Sequence, residues 1–322
     1  MEILLLDKIV LLFTIVFFFS FLLYFSGVLR IFRKGSENSF LSKSTASFSV
    51  LVACKNEEEK IHQLINSLKN LDYPANKFEI IIVDDNSTDN SLGKIEDLIK
   101  GFSNFKVISS GKKSITGKKG ALQKGLEIAG KDFIIVTDAD CVVPPLLLQF
   151  YNDRFQTGSD VVIGVSPFKL LKNSFWSKYA SFDNLRSYLN IFAFSGLGLP
   201  YSATARNFAF NKQKFLSQGG YLSLTGTLSG DDDLLINLAV SLGWKIDYLL
   251  NTESFVFSHG KENLNSFLKQ KARHTESSKF YSKKMKVVLA TWHILNLYAY
   301  FSICYFWVST AFVIPFFVKI FL

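Results

Sequence analysis

"IIVTDADC", residues 134–141, runs an apolar, β-branched segment straight into two aspartates separated by one alanine. A buried strand ending on Asp138 and Asp140 crowds two carboxylates. They repel each other and lose hydration unless a cation joins them. Hard divalent ions suit that role, because they bind through one or two carboxylates and take water and substrate phosphates as further ligands. Pro144 and Pro145 begin the next element, so the backbone is expected to turn and let positions i and i+2 face one ion. Helix capping explains one aspartate and leaves the other without a purpose. The pattern predicts a Mg2+ or Mn2+ site at Asp138 and Asp140.

Working outward, the segment is the last of four similar units. "FSVLVAC" (48–54), "FEIIIVDD" (78–85), "FKVIS" (105–109) and "DFIIVTDAD" (132–140) read as strands. Helical patterns follow them at 55–70, 89–100, 118–129 and 144–155. Asn56 is the expected cap of the first helix, with Glu59 three residues on and Ile61, Leu64, Ile65 and Leu68 as its apolar stripe. A further strand is expected at 160–168, followed by an aromatic-rich stretch to about residue 200. Repeated β-α units with continuously apolar strands predict an α/β fold, a mostly parallel sheet covered by helices on both faces. Ligands of such sheets sit beyond the carboxyl ends of the strands. The polar residues collect there, at 55–57, 84–87 and 138–140.

Other stretches carry weaker chemistry. "VDDNSTD" (83–89) pairs Asp84 with Asp85, one more acid than a helix cap needs. "TGKKGALQKG" (116–125) is no phosphate loop, because its glycine spacing is wrong and Lys119 stands where Ser or Thr would hold magnesium. It leaves lysines at a helix start, a place that favours an anion. "SGDDDLL" (229–235) supplies acids for a cap and for a general base. "FLKQKARHT" (267–275) reads either as an amphipathic interfacial helix or as a place where Arg273 grips a phosphate.

The 322-residue chain has 33 phenylalanines and a net charge of +9. From Ile9 to Leu29 no residue is charged, and at 1.5 Å per residue that run is about 30 Å long, one bilayer core. A second apolar segment runs from Val287 to the C-terminus, broken only by Lys319. It predicts a span at about 288–310 and a partial second, with Pro315 near the break. Glu2 and Asp7 beside a long apolar run fit a retained anchor better than a signal peptide. Arg30, Arg33 and Lys34 follow the first span, and Lys279, Lys283, Lys284 and Lys286 precede the second. By the positive-inside rule residues 30–286 face the cytoplasm at the cell's inner membrane. The basic residues are thereby accounted for, and no nucleic-acid partner is expected. Cys54, Cys141 and Cys304 have no metal-ligand spacing and read as buried thiols.

Taken in order, these stretches resemble the inverting family 2 glycosyltransferases of GT-A fold, in their membrane-anchored branch. "VLVACKNEEEKI" looks like that family's first-strand motif, and "VDDNSTDNS" like its nucleotide-contacting strand end. "GKKGALQKGL" resembles its GKxxALNxG, "DAD" its DxD, "ARNFAFNKQKFLSQGGY" (205–221) its acceptor-side segment, "GDDDL" its ExDL-like motif and "QKAR" its QxxR.

The resemblance implies a Rossmann-like GT-A domain over 48–285, with a nucleotide-sugar half (48–165) and an acceptor half (166–285) that ends in an interfacial helix. An anchor (1–34), a linker (35–47) and C-terminal membrane segments (286–322) complete the expected division. Glu57 and Asp85 would contact the base and ribose of a UDP- or GDP-sugar. Lys118 would lie near the nucleotide, and Asp138 and Asp140 would hold Mg2+ or Mn2+ on its diphosphate. Asp231 would be the general base, with Asp232 the second choice, and Arg273 would bind the diphosphate or its loop. Asn207, Gln270 and His274 would contact a glycan or lipid-linked acceptor. His274 replaces the family's tryptophan, which argues against processive synthesis, and Gly230 replaces its glutamate. A nucleotidyl or phosphoryl transferase and an inactive nucleotide-sugar-binding protein are the competing readings.

Overall fold

The computed structural model describes residues 2–35, 45–170, 174–224, 226–227, 230–260 and 263–321. Most of the expected linker, residues 36–44, lies outside them. The chain divides into two units. One comprises Met1–Ile31, Phe192–Pro200 and Tyr281–Leu322, and the other Phe32–Ile191 and Tyr201–Phe280.

Helix α1 (Glu2–Gly35) comes first. The larger unit then alternates: β1 (Phe48–Cys54), α2 (Ile61–Lys69), β2 (Phe78–Asp84), α3 (Ser91–Ile99), β3 (Phe105–Ser109), α4 (Gly117–Ile128), β4 (Phe133–Asp138) and α5 (Leu147–Gln156). Strands β5 (Val161–Gly164) and β6 (Phe168–Lys169) lead to the long helix α6 (Phe175–Gly196). After it come β7 (Phe208–Asn211), α7 (Lys212–Ser217), α8 (Asp231–Ser241), β8 (Ile246–Leu249), β9 (Ser258–His259) and α9 (Leu264–Glu276). Helices α10 (Lys283–Phe301) and α11 (Val313–Phe321) end the chain.

The main sheet has the order β3-β2-β1-β4-β7-β5-β8. It is parallel throughout except for β7, which runs antiparallel to both β4 and β5. Every residue of β2 is buried, as a strand covered on both faces requires. The α2 stripe of Ile61, Leu64, Ile65 and Leu68 is buried as expected, in one core with Val50, Val52, Ile80 and Ile82.

Two local expectations are corrected, and one strand was not expected. Asn56 does not cap a helix: it sits at φ 54°, and α2 starts only at Ile61. The strand expected over 160–168 stops at Gly164. "FAFN" forms a central strand that the alternating pattern did not announce.

In the smaller unit Gly196 meets Gly27 so closely that a Cβ on Gly196 would lie 1.9 Å from the Gly27 carbonyl oxygen. Small residues permit such backbone approach between apolar helices. Tyr24 stacks on Trp292 at 4.4 Å, and Phe17 packs with Leu295 and Ala299. Leu5–Arg33 and Lys283–Tyr305 are long and apolar enough to cross a membrane. The break in the C-terminal segment lies shortly before Pro315. α10 ends at Phe301, and Pro315 sits in the first turn of α11, where its missing N–H has no helical partner to lose.

Candidate active site

Register brings the strand-end acids to one edge. Across β1, Ala53 pairs with Asp138 and Cys54 with Asp84. Because β7 is antiparallel, its first residue, Phe208, lies opposite Val136 of β4. The turn before it, Ala205–Asn207, therefore reaches the same edge as the carboxyl ends of the parallel strands. The Arg206 carbonyl accepts the Thr137 hydroxyl at 2.9 Å, fixing that turn beside Asp138.

Lys118, from the first turn of α4, joins the acids. Its Nζ is 2.6 Å from Asp138 Oδ1 and 3.6 Å from Asp231 Oδ2. Burial opposes the lysine's charge, but Asp138, Asp231 and Asp232 outweigh it and hold its pKa above the ordinary lysine value. Lys119 does other work. It is buried and donates to the Leu224 carbonyl at 2.7 Å and to that of Thr227, pinning the chain that leads to α8.

The three aspartates of α8 divide their tasks. Asp231 is buried and faces Lys118. Asp232 accepts the Ala205 N–H at 2.8 Å. Burial, then the charges of Asp233 and Asp231, push its carboxyl well above the usual carboxylate range, although Lys118 pulls the other way. Asp233 is structural: its Oδ1 accepts the Ser202 hydroxyl at 2.6 Å, and its Oδ2 accepts that of Ser277. Gly230, at φ 77°, stands where the family motif has glutamate, and a Cβ there would lie 2.6 Å from Ser277 Cβ. Backbone and space both require glycine at that position.

Two loops are stitched together at the β1 and β2 ends. Ser87 Oγ accepts the Asn56 N–H at 3.0 Å, Ser91 Oγ the Glu57 N–H at 2.8 Å, and Asn56 Oδ1 the Thr88 N–H at 2.8 Å. Glu57, with its side chain 29% exposed, stands on this platform. Asp85 is buried, accepts the Ser110 hydroxyl at 3.1 Å and pairs with Lys113, a residue that sequence reasoning did not single out. Its signal was faint: one more lysine in a basic turn.

The acceptor-side expectations fare differently. Asn207 is corrected: it is fully buried, donating to the carbonyls of Val165 (3.0 Å) and Ser254 (2.9 Å) and accepting the Tyr151 hydroxyl at 2.7 Å. It locks the core beneath the site and has no surface to offer an acceptor. Gln270 and Arg273 lie on α9, half-buried and exposed respectively, and the side chain of His274 lies outside the described residues. Cys54 and Cys141 are buried as expected, and burial, then Asp84, pushes the Cys54 thiol up to about 12. Cys304 is exposed, which corrects the expectation of three buried thiols.

The acids fit a hard divalent ion. Asp138 and Asp140 are both partly exposed at the end of β4, and they offer oxygen ligands alone. Among the described residues no group of three or more His, Cys, Asp or Glu could hold a metal by itself. An ion bound here would complete its shell with substrate phosphates and water, the usual arrangement for magnesium.

The family description "Glycosyl transferase family 2" matches residues 49–216, and "Glycosyl transferase family group 2" matches residues 133–322. The chain belongs to glycosyl transferase family 2. It is 36% identical over 131 residues to the beta-monoglucosyldiacylglycerol synthase of Nostoc sp., a match covering 40% of this chain and 28% of that protein's length. It is 31% identical over 131 residues to the dolichol-phosphate mannosyltransferase of Pyrococcus furiosus, covering 41% and 36% of the two chains. Among solved structures it resembles a mannosyltransferase from Pyrobaculum calidifontis in complex with GDP-Man and Mn2+. That likeness has a TM-score of 0.58 at 16% identity, covers 96% of this chain and 85% of the other, and speaks for the shared fold. Family 2 membership agrees with the mostly parallel sheet and with the acids gathered at its carboxyl edge.

Proposed function

We propose that this chain is a membrane-anchored glycosyltransferase that moves a sugar from a nucleoside diphosphate to a hydroxyl of a lipid-linked or cell-surface glycan, with inversion. The observation that carries the reading is the linked set Asp138–Lys118–Asp231–Asp232, in a family 2 chain, at the edge where such sheets bind ligands. Donor binding is supported by two structures of the same fold, the Pyrobaculum mannosyltransferase in complex with GDP-Man and S. aureus TarS in complex with UDP-GlcNAc. A lipid acceptor is supported by the partial match to a glucosyldiacylglycerol synthase. Anchoring is supported by the two long apolar helices, and cytoplasmic placement of the larger unit by the lysines and arginines that border it.

In this reading Glu57 and Asp85 receive the nucleoside, and Asp138 and Asp140 face the diphosphate. A divalent ion held there would neutralise charge on the leaving group. The acceptor oxygen bonds to the anomeric carbon as the bond from that carbon to the diphosphate oxygen breaks. The hydroxyl proton passes to an aspartate of α8. We assign it to Asp232 in preference to Asp231. Asp232 is the more open of the two, half-buried where Asp231 is buried against Lys118, and the upward direction in which burial and its acidic neighbours move the Asp232 carboxyl suits a base. The barrier falls mainly through orientation and charge stabilisation.

Calorimetric titration of the full-length protein with a panel of UDP- and GDP-sugars in Mn2+ tests the donor half. Saturable binding of one of them, weakened in Asp140→Ala, is expected. Absence of binding across the panel contradicts the assignment.

A further inference from the structure

Arg206 lies in the Ala205–Asn207 turn, whose main chain touches both halves of the candidate site. Its carbonyl accepts the Thr137 hydroxyl beside Asp138, and the neighbouring Ala205 N–H donates to Asp232. The Arg206 side chain is half-buried. Its guanidinium lies 4.5 Å from the centroid of the Phe168 ring on β6 and donates to the Ser258 hydroxyl on β9. On α6, the Asn184 amide can be turned so that its nitrogen donates to the Ser166 carbonyl at 3.2 Å. Its oxygen then accepts a further Arg206 N–H at 3.0 Å.

All of these partners are uncharged. Among the described residues no Asp or Glu forms an ion pair with Arg206. A guanidinium carries more N–H donors than these bonds use, in a planar fork that matches two oxygens of a phosphate. A cation partly withdrawn from water and paired with no acid is costly, and an anionic ligand offsets that cost.

Sheet order sets the side on which such a ligand would lie. β1 and β2, whose ends carry the loops of Glu57 and Asp85, are on one side of β4, and β7 is on the other. We propose that Arg206 is an anion-binding residue of the acceptor subsite, and that the acceptor carries a phosphate group close to the oxygen that attacks. The proposal deepens the transfer reading and rests on it. The donor diphosphate is the weaker source of the phosphate. In that reading it faces Asp138 and the ammonium of Lys118, across β4 from the Arg206 turn.

Calorimetric titration of the full-length protein in an uncharged detergent tests it, with glycerol 3-phosphate as the probe and glycerol as the control. The wild type should bind glycerol 3-phosphate saturably and glycerol not at all. Arg206→Gln should weaken the probe at least tenfold and leave the affinity for the bound UDP- or GDP-sugar in Mn2+ unchanged. If Arg206→Gln does not fold, Arg206→Lys decides. It keeps a charge over the Phe168 ring and lacks the planar fork, so it should bind the probe several-fold more weakly at the wild-type melting temperature. Probe affinity equal to wild type in the variant overturns the proposal and leaves Arg206 a tie between α6 and β9. A tenfold loss of donor affinity with the probe unaffected also overturns it, by assigning the arginine to the donor. The probe is titrated without nucleotide. Failure of the whole nucleotide-sugar panel therefore contradicts the transfer reading, while the phosphate site stands on its own result.

Discussion

The ammonium of Lys118 stands 2.6 Å from Oδ1 of Asp138, within reach of Asp231 as well. One cation thus links the end of β4, the proposed place of the donor diphosphate, to the helix that carries the proposed base. Lys118→Met should lower kcat/KM by about 10²-fold, the cost typical of losing one preorganised charged donor. Lys118→Arg should recover part of it. Steady-state kinetics with a saturating acceptor checks both, and unchanged kinetics in Lys118→Met removes the lysine from the site.

Asp232 and Asp231 separate by substitution. Asp232→Asn should reduce kcat by about 10²- to 10⁴-fold, the range for a general base, while calorimetric donor affinity stays the same. Asp231→Asn should weaken donor binding as well, because it removes a counter-charge of Lys118. If Asp231→Asn is the variant that binds normally and does not turn over, the base moves by one residue.

The pH profile follows from the raised proton affinity of Asp232, caused by burial and then by its acidic neighbours. A base works deprotonated, so activity falls as pH drops through its pKa. The acid limb of kcat/KM should therefore lie above the ordinary carboxylate range near 4. A limb at 4 or below contradicts the assignment.

Glu79 gives a stability prediction away from the site. It is buried, accepting the Ser49 hydroxyl at 2.7 Å, the Gly130 N–H at 2.6 Å and Lys106 Nζ at 2.7 Å. Burial raises its pKa, but Lys106, Gly130 and Ser49 outweigh that and leave it below the usual value. Its contribution is thus complete above the unfolded pKa near 4.3 and is lost as pH falls through the lower folded value. Glu79→Gln should cost about 1–3 kcal/mol at neutral pH, read by thermal unfolding in detergent, and the deficit should shrink in acid.

Asn207→Ala should behave as a core mutation. It takes a donor from the Ser254 and Val165 carbonyls, of which Val165 keeps the Val256 N–H, and removes the acceptor of the Tyr151 hydroxyl, at a cost of about 1–3 kcal/mol. Acceptor KM in the folded fraction should not move. A KM effect without loss of stability would restore the acceptor role that the sequence suggested.

What the sequence disclosed and what it hid have physical reasons. Continuous apolar runs such as Phe78–Asp84 can only be strands buried on both faces, and acids at their ends must face the ligand edge. Those features depend on local pattern. β7 depends on partners distant in sequence, since Phe208–Asn211 is too short to be distinguished by periodicity from a loop. Asn207 was misread for a related reason: a polar residue beside a functional motif looks available until its three buried partners are known. Asn56 looked like a helix cap because its proper partner, Thr88, lies across a loop 32 positions away. Lys118 and Lys119 are adjacent and alike in sequence, and only the fold separates the one that binds carboxylates from the one that binds carbonyls.

The most direct test of sugar transfer is product analysis with the purified full-length protein, a bound UDP- or GDP-sugar, Mn2+ and a lipid extract as acceptor. The account predicts release of the nucleoside diphosphate together with a lipid product heavier by one sugar residue, both lost in Asp140→Ala. Release of pyrophosphate, or turnover unchanged in Asp140→Ala, would contradict it.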